Sequence, residues 1–109
     1  RFSDDLLPSE NGNDALASLR VDYRNRLVDA LVAASTRLVA AGEAQEGLWF
    51  ARAALQRDRS REDAYICLMQ AQLAAGQRTA ALETYFACRR FLETMRLYRS
   101  IIETETDFE

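Results

Sequence analysis

Chemistry at neutral pH needs a small set of side chains held face to face, and this chain offers few of them. Its 109 residues include no histidine and only two cysteines, Cys67 and Cys88. No zinc site can be assembled from two thiols without imidazole or further Cys, so neither a metal nor a cofactor is expected. The chain also lacks a G-x-S-x-G turn and a glycine-rich phosphate loop, which removes the usual nucleophile and nucleotide signatures. Asp4 with Asp5 and Glu62 with Asp63 are adjacent carboxylates. Neighbours in sequence do not face each other on a helix, so these pairs read as solvated or capping groups rather than an acid and a base. The chain is not expected to be an enzyme. The two thiols read as small core residues in a reducing compartment, the cytoplasm.

Charge is the next candidate for chemistry. All 14 basic residues are arginine, against 17 acids, for a net charge of −3. Four of the acids sit in the last seven residues and three in the first ten, so residues 11–102 hold 13 Arg against 10 acids. That excess is too small for the basic stripe of a nucleic-acid interface. Arg52, Arg57, Arg59 and Arg61 cluster in sequence and could receive a phosphate or an acidic segment. The plainer reading is that they balance Asp58, Glu62 and a helix C-terminus. No apolar run approaches the 18 or so residues of a membrane span, and the start of the chain lacks a signal-peptide layout. The first residue is arginine rather than methionine, as expected of a piece of a longer protein.

The elements that would position these groups are helices. With 49% hydrophobic residues, one proline and four glycines, the composition is that of an all-α domain with short turns. An internal repeat organises it. Leu38–Gln56 aligns with Gln72–Arg90, matching Gly42 to Gly76, Leu48 to Leu82 and Ala54 to Cys88. The offset of 34 residues is the length of a tetratricopeptide repeat, a pair of antiparallel helices. Gly42 and Gly76 then fall where the first helix of each pair must turn, which calls for positive φ. Ala54, Ala81 and Cys88 supply small residues for close crossings, and Trp49, Tyr65 and Tyr85 large ones to fill the gaps between pairs.

The expected organisation is an N-terminal loop over 1–12, a helical domain over 13–102 and a fraying acidic tail over 103–109. A first helix capped by Asn13 or Asp14 runs to Ala41, with Leu16, Leu19, Tyr23, Leu27, Leu31, Ala34 and Leu38 on one face. A second spans Ala44–Arg57. Ser60 with Asp63 resembles a capping box opening a third, which ends at Gly76. A fourth runs from Arg78 to Met95, and Leu97, Ile101 and Ile102 could begin a fifth. Four to five helices are therefore expected.

The sequence resembles the bacterial transcriptional activator domain of SARP-type regulators. Arg61–Met95, REDAYICLMQAQLAAGQRTAALETYFACRRFLETM, carries the most specific part of the resemblance, Leu38–Arg59 matches the preceding helix pair, and FSDDLLPSE resembles the family's opening motif. Ala15–Leu16 stands where the family usually has tryptophan. Met95–Arg96 and Arg99–Ser100 replace its exit turn, which is expected to give way to continuing helix. The resemblance implies a regulatory module that contacts protein, with the DNA-binding domain outside this chain. Its expected partners are a second copy as a homodimer, other domains of the regulator, or the transcription machinery. No direct nucleic-acid or membrane contact is expected. In a tetratricopeptide stack the first helices line the concave side, which by the repeat register includes Asp29, Thr36, Asp63, Ile66 and Gln70. Trp49 and Phe50 are consecutive on a helix and cannot both point inward, so one is expected at a contact surface. The rival expectation is a scaffold or adaptor that binds a partner peptide in its concave groove, unrelated to transcription.

Overall fold

Two glycines decide where the chain reverses. Gly42 and Gly76 have φ of 85° and 80°, a region open to glycine without the Cβ clash other residues would meet. At each, the glycine N–H bonds three residues back and the next N–H five residues back: Gly42 to Val39 and Glu43 to Leu38, then Gly76 to Leu73 and Gln77 to Gln72. These are two Schellman caps, 34 residues apart, satisfying carbonyls a helix end would otherwise leave open. The computed structural model describes the backbone of residues 9–107 and the side chains of 14–105. Its helices are α1 (Ser9–Ala40), α2 (Ala44–Arg57), α3 (Glu62–Ala74) and α4 (Arg78–Asp107). The fold is all-α, as the repeat predicts.

Helix α1 packs on α2, α2 on α3, α3 on α4, and α1 also on α3, while among the described residues α2 and α4 share no contact. The first helices of the two pairs therefore lie side by side, as in a tetratricopeptide-like stack. What lies between them is mostly small. Ala51, Ala54, Ala64 and Ala71 are fully buried, joined by Val28, Leu48, Cys67 and Leu68. Alanine lets backbones approach, and the closest approach is at Gly47. A Cβ there would lie 2.7 Å from Val39 Cγ2 and 3.2 Å from the Ser35 carbonyl. The buried Ser35 hydroxyl donates to the Gly47 carbonyl at 2.7 Å, tying α1 to α2. Between α3 and α4, Ala81, Thr84 and Cys88 face inward, and the Thr84 hydroxyl lies 2.9 Å from Gln72 Oε1. Tyr65 stacks on Phe91 at 5.9 Å and donates its hydroxyl to the Arg59 carbonyl at 3.0 Å.

The structure corrects several sequence expectations. Helix α1 begins at Ser9 rather than at an Asn13 or Asp14 cap. The expected loop over 1–12 lies outside the described residues as far as residue 8, and its last four residues are helical, because a single Gly12 costs too little to stop a helix. At the other end there is no separate fifth helix and no frayed tail from 103: α4 continues to Asp107. No Gly or Pro follows Gly76, so nothing interrupts it. The expected capping box is absent too. Arg61 precedes α3 without a side-chain cap, and the N–H and hydroxyl of Ser60 both bond to Asp58 Oδ1 in a local turn. Of the three large residues expected to fill gaps, only Tyr65 is buried. Tyr85 and Trp49 point outward, because the small residues that bring the helices together leave no room for a ring beside them.

Both long helices overrun the core. On α1, Leu27, Leu31, Ala34 and Leu38 are half-buried, but Leu16, Leu19 and Tyr23 on the same stripe are exposed. Helix α2 has 14 residues and covers only the C-terminal half of the 32-residue α1. On α4 every described residue from Leu92 to Glu105 is exposed. The radius of gyration, 18.9 Å, accordingly exceeds the roughly 13 Å of a compact chain this long.

Gly47→Ala tests the crossing. The substitution adds helix propensity but drives a methyl into Val39 and a fixed carbonyl, so it is expected to cost about 1–3 kcal/mol in urea unfolding. A stabilised variant would mean that the helices are free to separate there.

Candidate protein-binding surface

The residues expected to line the concave side sit on α1 and α3, whose shared face the structure brings together. Their roles divide. Asp29 on α1 and Asp63 on α3 are joined through Arg61, whose Nη2 lies 2.6 Å from Asp29 Oδ1 and 2.7 Å from Asp63 Oδ2. Arg61 Nε reaches Asp63 Oδ1 at 3.1 Å, making that pair bidentate, and Nη1 donates to the Asn25 carbonyl at 3.4 Å. The Arg61 side chain is 21% exposed, against 65% for Asp29 and 51% for Asp63, so the clamp lies at the surface with the arginine its most covered member. Two expected binding residues are thus committed to a clamp across the helices.

Further along the same face, Thr36 and Gln70 line a groove of about 350 Å³ with Ser35, Val39, Ala40 and Cys67. Thr36 donates its hydroxyl to the Val32 carbonyl at 2.9 Å, and the Cys67 thiol lies 3.7 Å from that same oxygen. These polar atoms point into the helix wall, leaving a mainly apolar floor. Ile66 on α3 is 42% exposed. Trp49 and Phe50 stand apart on α2: Trp49 is exposed and Phe50 half-buried, their rings edge to face at 5.1 Å.

The Arg cluster does not converge on one site. Arg61 turns inward to its two aspartates, while Arg52, Arg57 and Arg59 are exposed, Arg57 beside a hollow it shares with Tyr23, Arg24 and Leu27. Burial, with Glu62 adding a smaller effect, pushes the Cys88 thiol above its ordinary value. It is therefore protonated at neutral pH and unsuited to nucleophilic work. Among the described residues no cluster of His, Cys, Asp or Glu could hold a metal ion, and no helix is long and apolar enough to cross a membrane.

Sequence reading missed one surface. The C-terminal half of α4 exposes Leu92, Met95, Leu97, Tyr98 and Ile101, and Leu92, Met95 and Tyr98 border a hollow of about 640 Å³ that runs along this one helix. The signal was present as an uninterrupted three-and-four spacing after Cys88.

The clamp makes an acid-sensitivity prediction. The Arg61 hydrogen bonds hold the Asp63 carboxyl below its ordinary value, and the Ser60 hydroxyl does the same for Asp58. The unfolded chain then binds more protons than the folded one. The stabilisation is present in full above roughly pH 4 and is lost as pH falls through that range. Arg61→Met is expected to cost about 1 kcal/mol at neutral pH and to flatten the acid limb of the stability curve, measured by urea unfolding at stepped pH. An unchanged acid limb would mean that the clamp contributes nothing in solution.

Comparisons with curated proteins and with solved structures found no match. The family model for the bacterial transcriptional activator domain matches residues 2–95. That range takes in α1, α2, α3 and α4 as far as Met95, and leaves outside it the part of α4 that runs past the core. With most of its length matched in this way, the chain belongs to the bacterial transcriptional activator domain family.

Proposed function

We propose that this domain is the protein-contact and oligomerisation module of a bacterial transcription regulator, working in the cytoplasm, with DNA recognition carried by residues outside this chain. The family match over residues 2–95 is the observation that carries the reading. Two features support the protein-contact part of it. The described surface presents large apolar side chains, among them Trp49, Tyr23, Leu19 and Tyr98, each more than half exposed, and such side chains are enriched at protein interfaces. The small Arg excess over residues 11–102, with Arg61 drawn into its clamp, argues against a phosphate-tracking face. The partners of this reading are a second copy, neighbouring domains of the same regulator, or the transcription machinery.

A second reading, an adaptor that takes a peptide on the α1–α3 face, is favoured by the groove at Thr36 and Gln70 beside the exposed Ile66. With Asp29 and Asp63 clamped by Arg61, recognition there would rest on apolar contacts and the Gln70 amide. The groove is short for an extended peptide, which ranks this reading second.

The first test is fluorescence anisotropy of labelled duplex DNA titrated with the chain at low and at physiological salt. No binding at either is expected. Affinity that falls steeply with salt would overturn the placement of DNA recognition elsewhere.

A further inference from the structure

Helices α1 and α4 both leave the core at the same end of the domain. Helix α1 lies along α3 in the same direction, for Asp29 meets Arg61, Val32 meets Cys67, and Thr36 shares a groove with Gln70. Helix α4 lies along α3 in the opposite direction, with Thr84 at Gln72 and Phe91 at Tyr65. The part of α1 before Tyr23 and the part of α4 beyond Met95 therefore both project past the turn where α2 stops at Arg57 and α3 starts at Glu62. At 1.5 Å per residue these two arms, residues 9–22 and 96–107, are about 21 and 18 Å long. Within the core α3 packs on both helices, and among the described residues α1 and α4 do not touch. The lane above the first turn of α3 is thus bounded by an arm on each side and has the girth of one helix.

The inward faces of both helices continue into this lane. Val21 stands seven residues before the fully buried Val28 and is 42% exposed, with Arg24 between them. On the other side Met95 stands seven residues after the buried Cys88, and Arg99 and Ile102 follow it along the same hollow. The floor is the turn between α2 and α3, where Arg57 and Arg24 border one hollow with Tyr23 and Leu27. Apolar walls alone would accept any apolar helix, and the arginines narrow the choice. Arg24, Arg57, Arg59, Arg96 and Arg99 are all exposed, and none forms an ion pair among the described residues. Against these five stand three acids without an ion pair, Asp22, Asp58 and Glu62, which leaves the floor positive. Toward the mouth the sign reverses, with Asp14 on α1 and Glu103 and Glu105 on α4. A positive floor under an acidic mouth sets the charge order of what fits between.

We propose that this lane receives an amphipathic helix of a partner protein, acidic at the end that enters and apolar on the sides that meet Val21 and Met95. The proposal rests on the protein-contact reading above and names the chemistry of the partner. The α4 arm spans 12 residues, so about three turns of the incoming helix are covered. A helix satisfies its own backbone hydrogen bonds, which the apolar walls could not do for an extended peptide. The acidic mouth turns away a phosphate backbone, so the same feature that selects the orientation of the helix excludes a nucleic-acid strand.

Peptide display on the 109-residue chain tests this, with peptides of about 14 residues, a little longer than the arm, each position drawn from Ala, Leu, Glu and Lys. Enriched peptides are expected to carry Leu at three-and-four spacing and Glu crowded into one half. A labelled copy of such a peptide is expected to gain helicity on binding and to shift the amide resonances of both Val21 and Met95, leaving Thr36 and Gln70 unmoved. Arg24→Glu combined with Arg99→Glu is expected to weaken it about tenfold or more, and the same peptide with Lys in place of Glu to bind that double variant again. Both arginines are exposed, so an unchanged circular dichroism spectrum shows that the variant is folded. A selection that enriches nothing or enriches Lys-rich peptides would overturn the proposal, as would shifts confined to one arm or to the α1–α3 groove. A dimer in sedimentation velocity that Met95→Glu abolishes would also overturn it, by giving the lane to a second copy. The protein-contact reading survives each of these results and falls only if the chain binds duplex DNA.

Discussion

The close crossing of α1 and α2 at Gly47 is the constraint on which the other helix positions depend. With no side chain at that point, the Ser35 hydroxyl reaches the Gly47 carbonyl and Val39 lies against the bare backbone. The two axes are therefore held nearer than leucine or valine would permit. The second pair repeats the device with different atoms. Ala81, 34 residues after Gly47, is buried at the equivalent crossing, and the Thr84 hydroxyl beside it reaches Gln72 on α3. In each pair a buried hydroxyl bridges residues 12 apart across the turn. Because such a group is costly to leave without a partner, each bridge also fixes the register in which the helices meet.

Equivalent positions of the two pairs differ in how they are covered. Leu48 and Ala51 on α2 are buried because α1 and α3 flank that helix. Their counterparts one repeat later, Leu82 and Tyr85 on α4, are 55% and 44% exposed, for among the described elements only α3 packs on α4. The alanine at the first position lets a third helix approach, and the tyrosine at the second holds one off. The change from Ala51 to Tyr85 therefore gives the outer side of α4 a bulkier face than the equivalent side of α2.

Most of the architecture was legible in the sequence because turn geometry and repeat length are written in single residues. Gly42 and Gly76 announced two positive-φ caps, and their spacing gave the pairing of helices and the bounds of α2. The ends of α1 and α4 were not legible, because helix termination in solvent is decided by weak terms of a few tenths of a kcal/mol per residue. Met95–Asp107 contains no residue that forbids either outcome. The inward face of α1 was read one step off. The leucine stripe caught the half-buried flank, while the deepest positions are Val28 and Ser35, and a serine does not advertise itself as core. Gly47 escaped notice for a related reason, since a glycine inside a helix looks like a defect until the helix it touches is known. Of the expected contact residues, Thr36 and Gln70 do line one groove. Asp29 and Asp63 could not have been told from free groove residues, because their role depends on where Arg61, distant from Asp29 in sequence, places its guanidinium.

That placement bears on the all-arginine composition. Arg61 donates from three nitrogens at once, to Asp63 through a bidentate pair, to Asp29 on α1 and to the Asn25 carbonyl. An ammonium group has three donors on one atom and no planar fork, so lysine could not span α1 and α3 and hold Asp63 in two bonds. The turn between α2 and α3 has few other anchors: Asp58 and Ser60 bond to each other, and α3 starts without a side-chain cap. Arg61 therefore substitutes a long-range tie for the missing local one, fixing the start of α3 against α1 rather than against its own first turn. The Tyr65 bond to the Arg59 carbonyl secures the same turn from the α4 side through its stack on Phe91. Phe91 is also the last described residue of α4 that is not exposed. The geometry of this turn thus sets the point at which α4 leaves the core and its exposed half begins.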